Sequence, residues 1–183
     1  MIKRVEFDEV KRIELNYFPD KRGFFVETFN RKLLETYNIN DKFVQDNLSL
    51  SLKKNTFRGF HFQIPPFEQS KLVNVIKGSI LDIFIDLRKD SETYQCYGSC
   101  ELNSENGLLY IPRGFAHGFL TLNDDTIVSY KVDNYYDIDS ERGIKFNDEF
   151  FSLDLSLSLD EIIISEKDKN LPLWVDISSE INF

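Results

Sequence analysis

The sequence predicts a mainly β protein, an all-β sandwich or jelly roll with short helical segments at its periphery. Three observations carry that prediction. The chain holds 17 Phe in 183 residues but a single Ala, Ala116. Aromatic excess favours sheet, and scarcity of the best helix former argues against a helical bundle. Short apolar runs of period two recur along the chain, with turn signals between them, as in sandwiches and jelly rolls.

Each element follows from its local pattern. Residues 30–37 read as one short helix. Residues 43–51 read as a strand ending in a clean alternation of Leu48 and Leu50 with Ser49 and Ser51. His61 sits between Phe60 and Phe62 on a further strand. Residues 71–76 form the next run, and Lys77-Gly78 is a turn signal. Residues 79–87 give the strongest strand. Leu81, Ile83, Ile85 and Leu87 share one face, and Ile80, Asp82, Phe84 and Asp86 the other. Residues 108–111 stop at Pro112. Residues 119–122 and 126–132 read as a hairpin joined through Asn123-Asp124-Asp125. Residues 160–168 suit either a strand, through Ile162-Ile163-Ile164, or a turn, through their polar flanks.

The length fits one domain over residues 1–183. A net charge of −9 disfavours a diffuse nucleic-acid binder, which needs a basic surface. The N-terminus begins Met1-Ile2-Lys3-Arg4 and then alternates charged with apolar residues, without the apolar core of a signal peptide, and no uncharged apolar stretch approaches the roughly 20 residues that span a bilayer. The two cysteines, Cys96 and Cys100, lack a second pair to complete a zinc site and read as free thiols in a reduced compartment. A cytoplasmic protein without membrane or nucleic-acid partners is the expectation.

Four segments hold polar residues that a structural strand does not need: 20–29, 58–63 with Lys71 beyond it, 111–119 and 165–168. The chain has only two histidines, His61 and His117, and both lie in these segments. His61 reads either as a core histidine or as a general base, since imidazole titrates near neutrality. Strict alternation puts Arg58 and His61 on opposite faces of their strand, unless Gly59 marks a bulge that brings both to one pocket. Pro112-x-Gly114-x-x-His117 resembles the second cupin motif. The first cupin motif supplies a His-x-His pair and a Glu; here it is degenerate, His61-Phe62-Gln63 followed by Glu68. Two histidines and one Glu make a poor transition-metal set, so no metal is expected.

The resemblance is wider than one motif. Arg22-Gly23-Phe24-Phe25-x-Glu27-Thr28-Phe29, residues 43–47, Arg58-Gly59-Phe60-His61, residues 111–119, Tyr130-Lys131, Tyr135-Tyr136, Glu141-Arg142-Gly143-Ile144 and Ser165-Glu166-Lys167-Asp168 occur in that order. Together they resemble the dTDP-4-dehydrorhamnose 3,5-epimerase family over roughly residues 5–175. That resemblance implies a cupin-type jelly roll and a homodimer. It implies cofactor-independent epimerisation at C-3 and/or C-5 of a nucleotide-linked 4-keto-6-deoxy sugar, in deoxysugar biosynthesis for surface polysaccharide.

The resemblance also assigns residues. His61 is the base, Asp168 orients it, Tyr130 is the acid on the opposite face, and Lys71 places positive charge near the keto oxygen. His117, with Asp82 as its partner, supports the same pocket. Arg22 and Arg58 match diphosphate contacts; Glu27, Gln45 and Asn47 match base- and sugar-side contacts. Phe25 packs on the base, and Lys167 belongs to the substrate-binding set. Simpler readings stand beside these: Tyr130 shares a face with Val128 and Val132 and could serve packing alone, and Lys71 could be a surface lysine at a strand entry. Leu48 stands where many family members carry a polar residue, and Phe60 and Phe62 where Leu and Tyr are common. These departures leave open an enzyme that inverts only C-3 or only C-5 of a GDP-linked 4-keto-heptose. More distant alternatives are a metal-dependent cupin and a non-catalytic sugar-nucleotide-binding cupin.

Overall fold

Alternating apolar runs and tight turns resolve into two facing antiparallel sheets. A computed structural model describes residues 6–151, 153 and 157–183; the N-terminal Met1-Ile2-Lys3-Arg4 lies outside them. In chain order the elements are β1 (Lys11–Ile13), β2 (Tyr17–Asp20), β3 (Gly23–Val26), α1 (Arg31–Thr36), β4 (Gln45–Ser51), β5 (Phe57–Gln63), β6 (Lys71–Lys77) and β7 (Ser79–Asp86). They continue with β8 (Tyr97–Asn103), β9 (Leu108–Ile111), β10 (Phe115–Thr121), β11 (Thr126–Val132), β12 (Glu141–Gly143), α2 (Glu166–Lys169) and α3 (Trp174–Ile177). One sheet has the order β12-β5-β10-β7-β8 and the other β1-β9-β6-β11-β4, while β2 and β3 form a separate hairpin. This is a cupin-type jelly roll with short peripheral helices, as expected. Among the described residues no helix is long and apolar enough to cross a membrane.

Three apolar layers follow from the alternation. Ile80 and Phe84 of β7 meet Phe119, Val73, Val75, Leu109 and Val128 between the sheets. Ile83, Ile85 and Leu87 point the other way, under the C-terminal segment with Trp174, Ile177 and Ile181. The two faces of residues 79–87 therefore divide as their period of two predicts. On the outside of the second sheet, α1 and its flanks cover Leu72 and Leu108 with Leu34 and Ile39. The helix starts where expected because the Asn30 side chain accepts from the Lys32 and Leu33 amides, satisfying donors that lack an intrahelical partner.

One expected pairing is different. Residues 119–122 and 126–132 do not form a hairpin: β10 pairs with β5 and β7, and β11 with β4 and β6. All seven residues of β10 are buried, so it takes a central position with both edges occupied. The turn at 123–125, where Asp125 has φ 51°, carries the chain across to the other sheet. The ambiguous segment 160–168 resolves into three short pieces. A 3₁₀ turn at Leu159–Glu161 leads to a parallel bridge from Ile163 to Thr56, and Ser165 then caps α2.

Candidate active site

The site begins with a bulge. His61 of β5 faces His117 of β10, and Arg58 faces Phe119, so β5 spends one residue more than its partner between these pairs. An extra residue reverses the alternation, and both Arg58 and His61 line one cavity, as the Gly59 reading anticipates. Gly59 has φ +137°, and a Cβ there would lie 2.5 Å from the Gly118 Cα and 2.9 Å from the His117 carbonyl oxygen. Only glycine meets both conditions.

His61 Nε2 lies 2.8 Å from Asp168 Oδ1. The short helix α2 delivers Asp168. The Ser165 hydroxyl accepts the Asp168 amide, and the Gly59 amide bonds the carboxylate. Burial pushes the Asp168 carboxyl up, but the bonds to His61, Gly59 and Ser165 outweigh it and hold it below the usual range. An ionised Asp168 makes Nε2 the protonated nitrogen of His61 and leaves the lone pair on Nδ1. A base oriented by a buried carboxylate is suited to taking a proton and carrying the resulting charge.

His117 holds a second carboxylate, with Nε2 3.0 and 2.9 Å from the two Asp82 oxygens. Both groups are buried, and burial outweighs the Asp82 charge to lower the His117 pKa. Lys71 opens β6 in the facing sheet. It is only 8% exposed, so it is no surface lysine, and its Nζ donates to the His61 carbonyl at 3.0 Å. Burial pushes its pKa down to about 8, against the opposing pull of Asp82 and Glu141. Tyr130 of β11 is half-buried; burial raises its pKa, Arg58 lowers it and Glu141 raises it.

The cavity has two lobes, of about 560 Å³ and 330 Å³, which share His61, Lys71 and Tyr130. The larger adds Arg58, His117, Phe119, Lys167 and Asp168. The smaller adds Gln45, Asn47, Gln63, Gln69, Tyr136 and Glu141. Arg58 is steered inward by bonds to the Ser51 hydroxyl and the Leu50 carbonyl. Gln45 donates to Asn47 and accepts the Tyr136 amide. Lys167 spans the lobes by binding both Glu141 oxygens at 2.7 and 2.8 Å. A separate cavity of about 830 Å³ includes Arg88, Arg113 and Phe183 in its walls. Its arginines are already paired, to Asp86 and Glu9 and to Asp133 and Glu68, and it contains neither histidine.

Most of the expected set therefore meets in one place: His61, Asp168, Tyr130, Lys71, His117, Arg58, Gln45, Asn47 and Lys167 line the lobes, and Asp82 lies behind His117. Arg22, Phe25 and Glu27 do not. Arg22 sits at the tip of the β2–β3 hairpin, bound to Asp20, with its side chain 83% exposed. Phe25 is exposed beside Phe18, and Glu27 accepts from the Asn30 side chain. Sequence reasoning assigned no role to Glu141 or Tyr136, although both stand in the ordered blocks, and it passed over Gln69. Gln63, at the second position of the degenerate His-x-His pattern, spends its side chain on Phe67, Tyr135 and Asp137 backbone groups.

The chain as a whole matches a known family. The family model described as dTDP-4-dehydrorhamnose 3,5-epimerase matches residues 4–176. The chain belongs to the dTDP-4-dehydrorhamnose 3,5-epimerase family. It is an epimerase acting on a sugar nucleotide. The dTDP-4-dehydrorhamnose 3,5-epimerase of Sinorhizobium fredii is 42% identical over 165 residues, covering 90% of this chain and 84% of the relative. A solved dTDP-4-dehydrorhamnose 3,5-epimerase from Bacillus anthracis, with TDP and PPi bound, is 44% identical with a TM-score of 0.87, covering 93% and 98% of the two chains. A dTDP-6-deoxy-D-glucose-3,5-epimerase from Legionella pneumophila, in complex with dTDP-4-keto-L-rhamnose, is 36% identical with a TM-score of 0.89, covering 100% and 98%.

Proposed function

We propose that the enzyme inverts C-3 and C-5 of a dTDP-linked 4-keto-6-deoxyhexose through enolate intermediates, with no cofactor. The observation that carries this reading is the His61–Asp168 pair on one wall of a cavity whose facing wall supplies Tyr130 and Lys71. A 4-keto group acidifies the C–H bonds on both neighbouring carbons. His61 Nδ1 takes such a proton, and the C–H electrons move into a C=C bond as the C=O electrons move onto O-4. The Lys71 ammonium stabilises that oxyanion. Tyr130 then gives its hydroxyl proton to the opposite face of the carbon, and the carbonyl re-forms. Each inversion leaves His61 protonated and Tyr130 deprotonated, so both must exchange with solvent before the next.

The relatives above are named for dTDP-linked substrates, which supports a dTDP-linked hexose over a GDP-linked heptose. Arg58 and Lys167 supply cationic groups for the diphosphate, offsetting a net charge of −9 that repels it. The test is proton NMR in deuterated water with a dTDP-linked 4-keto-6-deoxyhexose. Deuterium should enter at both C-3 and C-5, and His61→Ala should abolish it. Absence of exchange in the wild-type enzyme, or exchange that survives His61→Ala, would overturn the mechanism.

A homodimer belongs to the same reading. Arg22, Phe25 and Glu27 are exposed and do not line their own cavity, and Phe24, Phe25, Leu48, Leu50 and Leu52 are exposed large apolar residues. A second copy would cover those groups and give the hairpin residues a nucleotide to contact.

A further inference from the structure

We propose that Asp133, clamped by Arg113, is a positioning residue that sets Lys71 and Tyr130 against the reacting carbon; the inference rests on the epimerase reading above. Neither Asp133 nor Arg113 lines the two lobes of the site. Asp133 directly follows β11 and its side chain is only 2% exposed. Its Oδ1 accepts the Ser70 amide at 2.6 Å, and its Oδ2 accepts from Arg113 Nε at 2.8 Å. Arg113, two residues beyond β9, also donates to Glu68 at 3.2 Å. One carboxylate thus ties together the ends of β6, β9 and β11.

Two of those strands carry the proposed chemistry from this wall. Lys71 is the residue after Ser70, and Tyr130 lies three residues before Asp133. Register pairs Lys71 with Val132 on one side and Ile111 on the other, so the ladder starts at Lys71 and excludes Ser70. The Ser70 amide is buried and needs an acceptor, and Asp133 is that acceptor. Among the described residues Lys71 Nζ donates to one acceptor, the His61 carbonyl, so its place in the cavity depends on where its backbone enters. The adjoining loop is fastened to the same strand end, through Gln69 to the Asn134 carbonyl and Asn134 to the Pro66 carbonyl.

Burial raises the Asp133 pKa above its ordinary value despite the Ser70 and Arg113 bonds, and nearby Asp41 adds to the rise. The fold keeps an acid there at a cost, and the residues it anchors belong to the site.

The test measures deuterium exchange, kcat and KM on a dTDP-linked 4-keto-6-deoxyhexose. Asp133→Ala should lower kcat about 10- to 100-fold with KM within about 3-fold, because a displacement near 1 Å costs about that much when binding groups are untouched. Asp133→Asn keeps a carbonyl acceptor for the Ser70 amide and should recover most of the loss. Arg113→Gln, at a partly exposed side chain, should lower kcat several-fold, and adding it to Asp133→Ala should cost nothing further. Wild-type kcat in folded Asp133→Ala, or a change confined to KM or Tm, overturns the proposal. If Asp133→Ala does not fold, wild-type kcat in folded Arg113→Gln does so. Absence of exchange in the wild-type enzyme instead defeats the epimerase reading on which the proposal stands.

Discussion

Lys71→Met should make the protein more stable at neutral pH while abolishing turnover. The Lys71 pKa falls from 10.5 to about 8 because burial disfavours the ammonium. That difference corresponds to roughly 3 kcal/mol of stability withheld from the folded state at pH 7. Methionine has a similar length and no charge, but it gives up the bond to the His61 carbonyl, worth about 1 kcal/mol. The net gain is about 2 kcal/mol, or about 4–8 °C in Tm for a chain of this size. The sign of the pH dependence is fixed by the two pKa values. The unfolded lysine keeps its proton until 10.5, and the folded one releases it near 8. The penalty is therefore complete below pH 8 and fades as pH rises from 8 to 10.5. Thermal unfolding followed by circular dichroism at pH 7, 9 and 10.5 reads this directly, as a gap between variant and wild type that closes with pH. A variant less stable than wild type at pH 7, or a gap that stays constant across the window, would refute the reasoning.

Gly59→Ala should destabilise by about 3 kcal/mol or more, since its Cβ would meet the Gly118 backbone at 2.5 Å in a strained conformation. The urea midpoint checks this, and an unchanged midpoint would mean that the bulge tolerates a side chain. Asp168→Asn should lower kcat by about 10²–10⁴-fold, because the amide neither orients His61 in the same tautomer nor supports its charge; steady-state kinetics showing near wild-type kcat would remove Asp168 from the mechanism. The depressed Asp168 pKa further implies stability that is present above the ordinary carboxyl range and lost as pH falls through the folded value. Acid titration of wild type against Asp168→Asn should show the two converging at low pH, and parallel curves would count against it.

Local pattern was sufficient where one face of a strand had to be buried. The alternation in residues 79–87 divides between the two apolar layers that β7 separates, and Asn30 caps the helix that follows it. The ordered blocks contain His61, Tyr130 and Asp168, which are far apart in sequence and line one cavity. Partner choice was not legible in the same way. Residues 119–122 and 126–132 have the signature of a hairpin, yet their edges pair with strands distant in sequence. A turn signal says that the chain reverses; it does not say whether it reverses within a sheet or across to the facing one.

The sequence alone determined the fold class and the family, because residue type and order carry that information, and it nominated the residues of the proposed acid–base set. Tertiary structure decided the environment of each group. It buried Lys71, which sequence left open as a surface residue, and lowered its pKa by desolvation. It placed Arg58 beside His61 by inserting one residue at Gly59. It left Arg22 and Phe25, on the β2–β3 hairpin, and Glu27, just beyond it, outside the lining of their own cavity. Burial, register and reach depend on contacts between residues far apart in the chain, and those contacts exist only once both sheets have closed on each other.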